Sequence, residues 1–105
     1  MRITVDAVCN SDLINAIKDR VLKADIEKWR VVEKEESTFL KYISGQCEYL
    51  IKARPNQKYN IVFFEVVNEN GQVEDYIPEH RDVLKALSII LSKYFEKQCN
   101  NITIE

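Results

Sequence analysis

Three patterns in this 105-residue chain predict an α+β fold: a mainly antiparallel sheet of about five or six strands with two helices packed on one face. Short runs of period-two alternation recur along the chain. Two segments carry apolar residues at helical spacing, and Asn70-Gly71 marks a tight hairpin turn. Two glycines and two prolines in the whole chain leave no linker or low-complexity tail, so 1-105 reads as one domain. A domain of this size buries roughly two-thirds of its unfolded surface, enough for a real core.

Ile3, Val5 and Ala7 alternate with Arg2, Thr4 and Asp6, the pattern of a half-buried strand. Asn10-Ser11-Asp12 offers an N-cap, whose side-chain oxygen accepts from a free amide of the first turn. Leu13, Ile14, Ile17, Val21 and Ala24 then recur at helical spacing, with Lys18, Asp19, Arg20 and Lys23 opposite, so a helix is expected from 11 to about 25. Trp29-Arg-Val-Val32 reads as a second strand that fades into the charged turn Glu33-Lys-Glu-Glu36.

The stretch from Ser37 to Gln46 fits two patterns. Leu40, Ile43, Cys47, Leu50 and Ile51 suit a helix capped by Ser37, whereas Phe39, Ile43, Cys47, Tyr49 and Ile51 suit a strand broken near Gly45. An irregular or strand-like segment is favoured, then a strand from Glu48 to Arg54. Pro55-Asn-Gln57 makes a turn. Tyr59 to Val67 is apolar on both faces, with Val62, Phe64 and Val66 on one and Tyr59, Ile61 and Phe63 on the other, as a central strand is. Asn68-Glu-Asn-Gly71 closes a hairpin, and Gln72 to Ile77 is expected to return as its partner strand.

Pro78 suits the first turn of a helix, where its missing amide costs nothing. Val83, Leu84, Leu87, Ile90, Leu91, Tyr94 and Phe95 form a broad apolar stripe ending near Gln98, and Ile102-Thr-Ile104 has the alternation of a short last strand. If both helices cover the even face of the central strand, the odd face is left as aromatic surface for a partner or a second copy.

Composition removes several functional classes. The opening residues alternate and include Asp6, unlike the apolar core of a signal peptide. Apolar runs such as Ile61–Phe64 are far too short to span a bilayer, so a cytoplasmic protein without membrane contact is expected. Cys9, Cys47 and Cys99 are odd in number and widely spaced, which is no disulfide framework; each reads as a small buried hydrophobe, with a reactive thiol as the alternative. Gly45 and Gly71 stand alone, so no phosphate-cradling loop exists, and three scattered cysteines with one histidine do not make a zinc site. Neither metal nor cofactor is expected. His80 reads as a packing or capping residue, and Trp29 as core at the sheet-helix seam.

The charge distribution points outward. Six carboxylates (Glu65, Glu69, Glu74, Asp75, Glu79 and Asp82) face one cation, Arg81, between positions 65 and 82. A net −5 therefore sits in that stretch against +3 elsewhere. Ile89 projects from the polar side of the last helix near this region. Glu65, Glu74 and Asp75 are placed to converge across the hairpin, but an exposed hairpin supplies no deep pocket to raise a carboxyl pKa for catalysis. Lys52, Arg54 and Lys58, with Tyr49 and Tyr59, form a local basic-aromatic cluster. A predicted pI of about 5.5 argues against nucleic acid as the partner.

The opening strand and helix, Trp29, the strand end Lys52-Ala53-Arg54-Pro55 and a final helix with His80 early and Tyr94-Phe95 late resemble small, uncharacterised bacterial α+β proteins of about this length. In size, acidity and build the chain also resembles immunity proteins of bacterial toxin systems, non-enzymatic proteins that cover a toxin's active site. That resemblance implies a protein partner, a toxin domain with a basic active site, met by Glu65, Glu69, Glu74, Asp75, Glu79, Asp82 and Ile89. Two alternatives stay open: a small enzyme or ligand-binding domain using His80 with a cysteine or the hairpin carboxylates, and a homodimeric structural subunit.

Overall fold

The computed structural model describes residues 1–23, 26, 28–34, 37–56 and 58–105. Six strands and two helices follow in the order β1 (Arg2–Ala7), α1 (Asn10–Leu22), β2 (Trp29–Lys34), β3 (Ser37–Ser44), β4 (Cys47–Asn56), β5 (Ile61–Val67), α2 (Pro78–Tyr94) and β6 (Cys99–Ile104). One sheet holds all six in the order β2-β3-β4-β5-β1-β6, with every neighbouring pair antiparallel. The α+β architecture expected from the sequence is the one observed.

Register determines which residues share a face, because directly paired residues project to the same side. Ile3 pairs with Phe64, Val5 with Val62, Ala53 with Phe64, Ile51 with Val66, and Leu40 with both Ile51 and Val31. These positions form the inner face. α1 lies against β2 and β4, contributing Leu13, Ile17 and Val21; α2 lies against β1 and β6, contributing Val83, Leu84, Leu87 and Leu91. Trp29 is buried in the same core, as expected. Each large aliphatic side chain closed off this way stabilises the fold by roughly 1.5–3 kcal/mol. Among the described residues the outer face has no helix on it and carries Arg2, Lys41, Lys52, Arg54, Phe63 and Glu65.

Several expectations need correction. Gln72 to Ile77 is not a strand. β5 already pairs with β4 and β1, so a hairpin partner has no free edge along most of its length. β1 begins at Arg2, opposite Glu65, and so leaves Val66 and Val67 open on that side. Val73 bridges to Val67 there, and the Glu74 amide donates to the Val66 carbonyl at 3.1 Å. The turn itself is held by Asn68, whose Oδ1 accepts from the amides of Asn70 and Gln72, with Gly71 at φ +80°. Ser37 to Ser44, the ambiguous segment, is a regular strand hairpinned to β4 through Gly45 at φ +61°.

α1 begins after Cys9, which holds the N-cap position without a side-chain cap hydrogen bond, so the expected cap by Asn10-Ser11-Asp12 does not form. The Asn10 amide group instead donates to the Asn56 carbonyl at 2.8 Å, tying the helix start to the end of β4. α1 ends at Leu22, short of 25, and α2 ends at Tyr94, short of Gln98. None of the three cysteines is buried. Cys47 is exposed beside the β3–β4 turn, and Cys9 and Cys99 are half-buried at element ends, where the core does not reach. Ala24, Glu35, Glu36 and Gln57, assigned above to a helix stripe and two turns, lie outside the described residues.

Candidate functional site

The six carboxylates of the acidic stretch separate into two groups. Glu65 lies on the outer face of β5, opposite Lys52, and one of its oxygens accepts from Arg54 Nε at 3.0 Å and Nη2 at 2.8 Å. Its side chain is only 14% exposed, so its charge is spent within the sheet. The convergence of Glu65 with Glu74 and Asp75 therefore does not occur. Glu69 sits in the turn after β5, where its carbonyl accepts from Lys34 Nζ at 3.3 Å. An open groove of about 420 Å³ is lined by Lys34, Phe39, Lys41, Val67 and Glu69 and also by Tyr49 and Glu74, so Glu69 and Glu74 border one depression.

Glu74, Asp75, Glu79 and Asp82 occupy the chain leading into α2 and its first turns, and all are exposed. Five carboxylates elsewhere are paired, as Arg2–Glu105, Lys18–Glu33, Lys23–Asp19, Lys41–Glu48 and Arg54–Glu65, while among the described residues Asp6, Asp12, Glu69 and Glu96 stand singly. Among the described residues no lysine or arginine pairs with Glu74, Asp75, Glu79 or Asp82. Glu79, in the first turn, complements the positive end of the helix dipole; Asp82 lies one turn further on, and Glu74 and Asp75 precede the helix. Ile89, seven residues beyond Asp82 and on the same side of α2, is 64% exposed.

At the centre of this group is His80, the third residue of α2 and only 4% exposed. Its Nε2 stands 3.9 Å from Glu74 Oε2, beyond hydrogen-bond length. Tyr49 from β4 and Tyr76 from the connecting segment meet its ring edge-on, with centroids at 6.1 and 6.4 Å. Burial first, then Cys47, Glu79 and Asp82, push the Tyr49 phenol above its ordinary pKa. Cys47 thus neighbours Tyr49; no cysteine is a hydrogen-bond partner of His80 among the described residues. The same residues contain no group of three ligands arranged to hold a metal ion.

The basic-aromatic cluster read from the sequence also divides. Tyr49 points inward with Ile51, while Lys52 and Arg54 point outward. The outer-face partner that the sequence reading missed is Phe63, flanked by Arg2 at 4.4 Å and Arg54 at 4.7 Å from its centroid. Arg2 and Phe63 are distant in sequence, and only the β1–β5 pairing brings them together. Tyr76 and the His80–Glu74 approach were missed for a related reason, since they depend on the irregular path of 72–77. No helix among the described residues is long and apolar enough to cross a membrane. Comparison of the chain with protein-family models, with curated proteins and with solved structures finds no match.

Proposed function

We propose that this chain is a non-enzymatic protein-binding domain that docks the acidic start of α2 on a basic surface. The specific form proposed is a cytoplasmic immunity protein that neutralises a bacterial toxin by covering a basic active site. One observation carries the reading: Glu74, Asp75, Glu79 and Asp82 are exposed, lie within nine residues of one another and have no lysine or arginine partner among the described residues, whereas five carboxylates elsewhere are paired. Unneutralised, exposed charge of one sign accelerates encounter with the opposite sign and disfavours other partners. Ile89 supplies an apolar contact beside it.

The test is a triple reversal, Glu74→Lys, Asp75→Lys and Glu79→Lys, measured against the product of an adjacent toxin gene. Association should slow most, with a steep salt dependence in the wild type that the variant lacks. Equal affinity of both proteins for that partner would remove the acidic surface from the mechanism. A second reading, a small enzyme or ligand-binding domain, is favoured by the approach of His80 to Glu74. It requires a bound small molecule or a turnover that His80→Gln abolishes.

A further inference from the structure

We propose that the start of α2 is a binding site for one guanidinium or ammonium group, an arginine or lysine side chain projecting from the docked protein. This rests on the protein-docking reading above and names the chemical group that enters.

The aromatic residues supply an argument independent of the carboxylates. Tyr59 is covered by Lys58, Phe63 by Arg2 and Arg54, and Tyr94 by Arg20 and Lys93; Tyr42 is packed on Trp29 at 4.6 Å. Tyr49 and Tyr76 are the accessible rings with no cation of the chain over them among the described residues. Tyr76 is 50% exposed. Ring faces attract cations by their quadrupole, and more strongly where water is partly excluded. Thus both kinds of group that bind cations, carboxylates and aromatic faces, are left without one at the same place.

His80 points to the same ligand. It is a polar side chain more than nine-tenths buried, and among the described residues it makes no hydrogen bond. Its Nε2 and Glu74 Oε2 are 3.9 Å apart, too far to bond each other. A nitrogen placed at an ordinary distance of about 2.9 Å from both spans that gap, donating one N–H to each. An ammonium or the –NH₂ arm of a guanidinium has the donors for this. His80 accepts at Nε2 when its proton is held on Nδ1. Glu79 and Asp82, exposed on the first turns of α2, add favourable potential without needing direct contact.

The experiment titrates ¹⁵N-labelled protein with N-acetyl-arginine amide and, in parallel, with its neutral isostere N-acetyl-citrulline amide, following backbone amides and the His80 ring nitrogens. The arginine probe should produce saturable shifts at Tyr76, His80 and their neighbours, with the ring reporting the Nδ1–H form; citrulline should not. Tyr76→Leu and Glu74→Gln, both at exposed positions, should each weaken the probe by about threefold or more. Equal shifts with both probes, shifts spread over the surface without a His80 response, or unchanged affinity in both variants would overturn the site. Those failures leave the docking reading standing if the triple charge reversal still disrupts a partner. Conversely, a probe seated at His80 supports the site even where no basic protein docks.

Discussion

Arg54 on β4 donates both Nε and Nη2 to a single oxygen of Glu65 on β5, at 3.0 and 2.8 Å, while its guanidinium lies 4.7 Å from the Phe63 centroid. The contact joins neighbouring strands across the outer face and holds Glu65 out of the acidic surface. Arg54→Ala removes the ion pair and one of the two cations on Phe63, and leaves Glu65, 14% exposed, with Lys52 and Arg2 as the cations directly opposite it on the neighbouring strands. Because the Arg54 side chain is about half exposed, solvent screens part of the gain, and the expected loss in urea unfolding is about 1 kcal/mol. No measurable change would show that the pair merely decorates the sheet.

The inner face was legible in the sequence because it is a local property. Period-two alternation identifies Ile3, Val5, Val62, Phe64 and Val66, and helical spacing identifies Leu13, Ile17, Leu84, Leu87 and Leu91; all of these are buried. Ser37–Ser44 resisted because Phe39 is buried on the outer face and Leu40 on the inner, so alternation vanishes. The error at 72–77 has a different origin. A turn signal states that the chain reverses, but whether the returning segment finds an edge depends on distant strands, here β1 and β4. The candidate site suffers from the same limit: Glu79 and Asp82 share the wet face of α2 by their i, i+3 spacing, whereas His80 turns inward from it, Tyr49 arrives from β4 and Tyr76 from an irregular segment.

Gly45 offers a test of backbone geometry free of packing. It adopts φ +61° in the β3–β4 turn, and a Cβ built there meets nothing within 4 Å. Gly45→Ala should therefore cost only the strain of a left-handed alanine, about 1 kcal/mol, without altering the fold. Asparagine, which tolerates this region better, should recover part of the loss. A neutral alanine would mean that the turn relaxes to a negative φ.

The three thiols should separate by exposure and environment. Cys47 is exposed and should be alkylated first by iodoacetamide at neutral pH, as read by peptide mass mapping. Burial raises the Cys99 thiol above its ordinary value of 9.0, so its thiolate is suppressed and its reaction slower. The folded pKa exceeding the unfolded one means that the native state holds the proton more tightly. Stability from this source is fully present below about pH 9 and declines as pH rises through the folded value. Tyr49, raised mainly by burial from 10.0, extends the decline further into alkali. Urea midpoints should be flat up to about pH 9 and then fall, and Cys99→Ala should remove the earlier part of that fall. A midpoint already falling between pH 7 and 8 would contradict the assignment.

Two residues five positions apart on α2 separate stability from recognition. Leu84 is fully buried in the core, and Leu84→Ala deletes three core carbons and leaves a cavity that the surrounding side chains cannot fill without shifting. The expected cost is about 3 kcal/mol by denaturant unfolding, a large share of the stability of a domain this size. Ile89 is 64% exposed, so Ile89→Ala should change stability by no more than about 0.5 kcal/mol. Under the docking reading the ranking reverses for binding. Ile89→Ala should speed dissociation of a partner held at the start of α2, while the charge reversals at Glu74, Asp75 and Glu79 slow its association. An Ile89 variant that unfolds the domain would mean that this face of α2 packs on the chain itself. One that leaves the dissociation rate unchanged would confine the contact to the carboxylates and the His80 cluster.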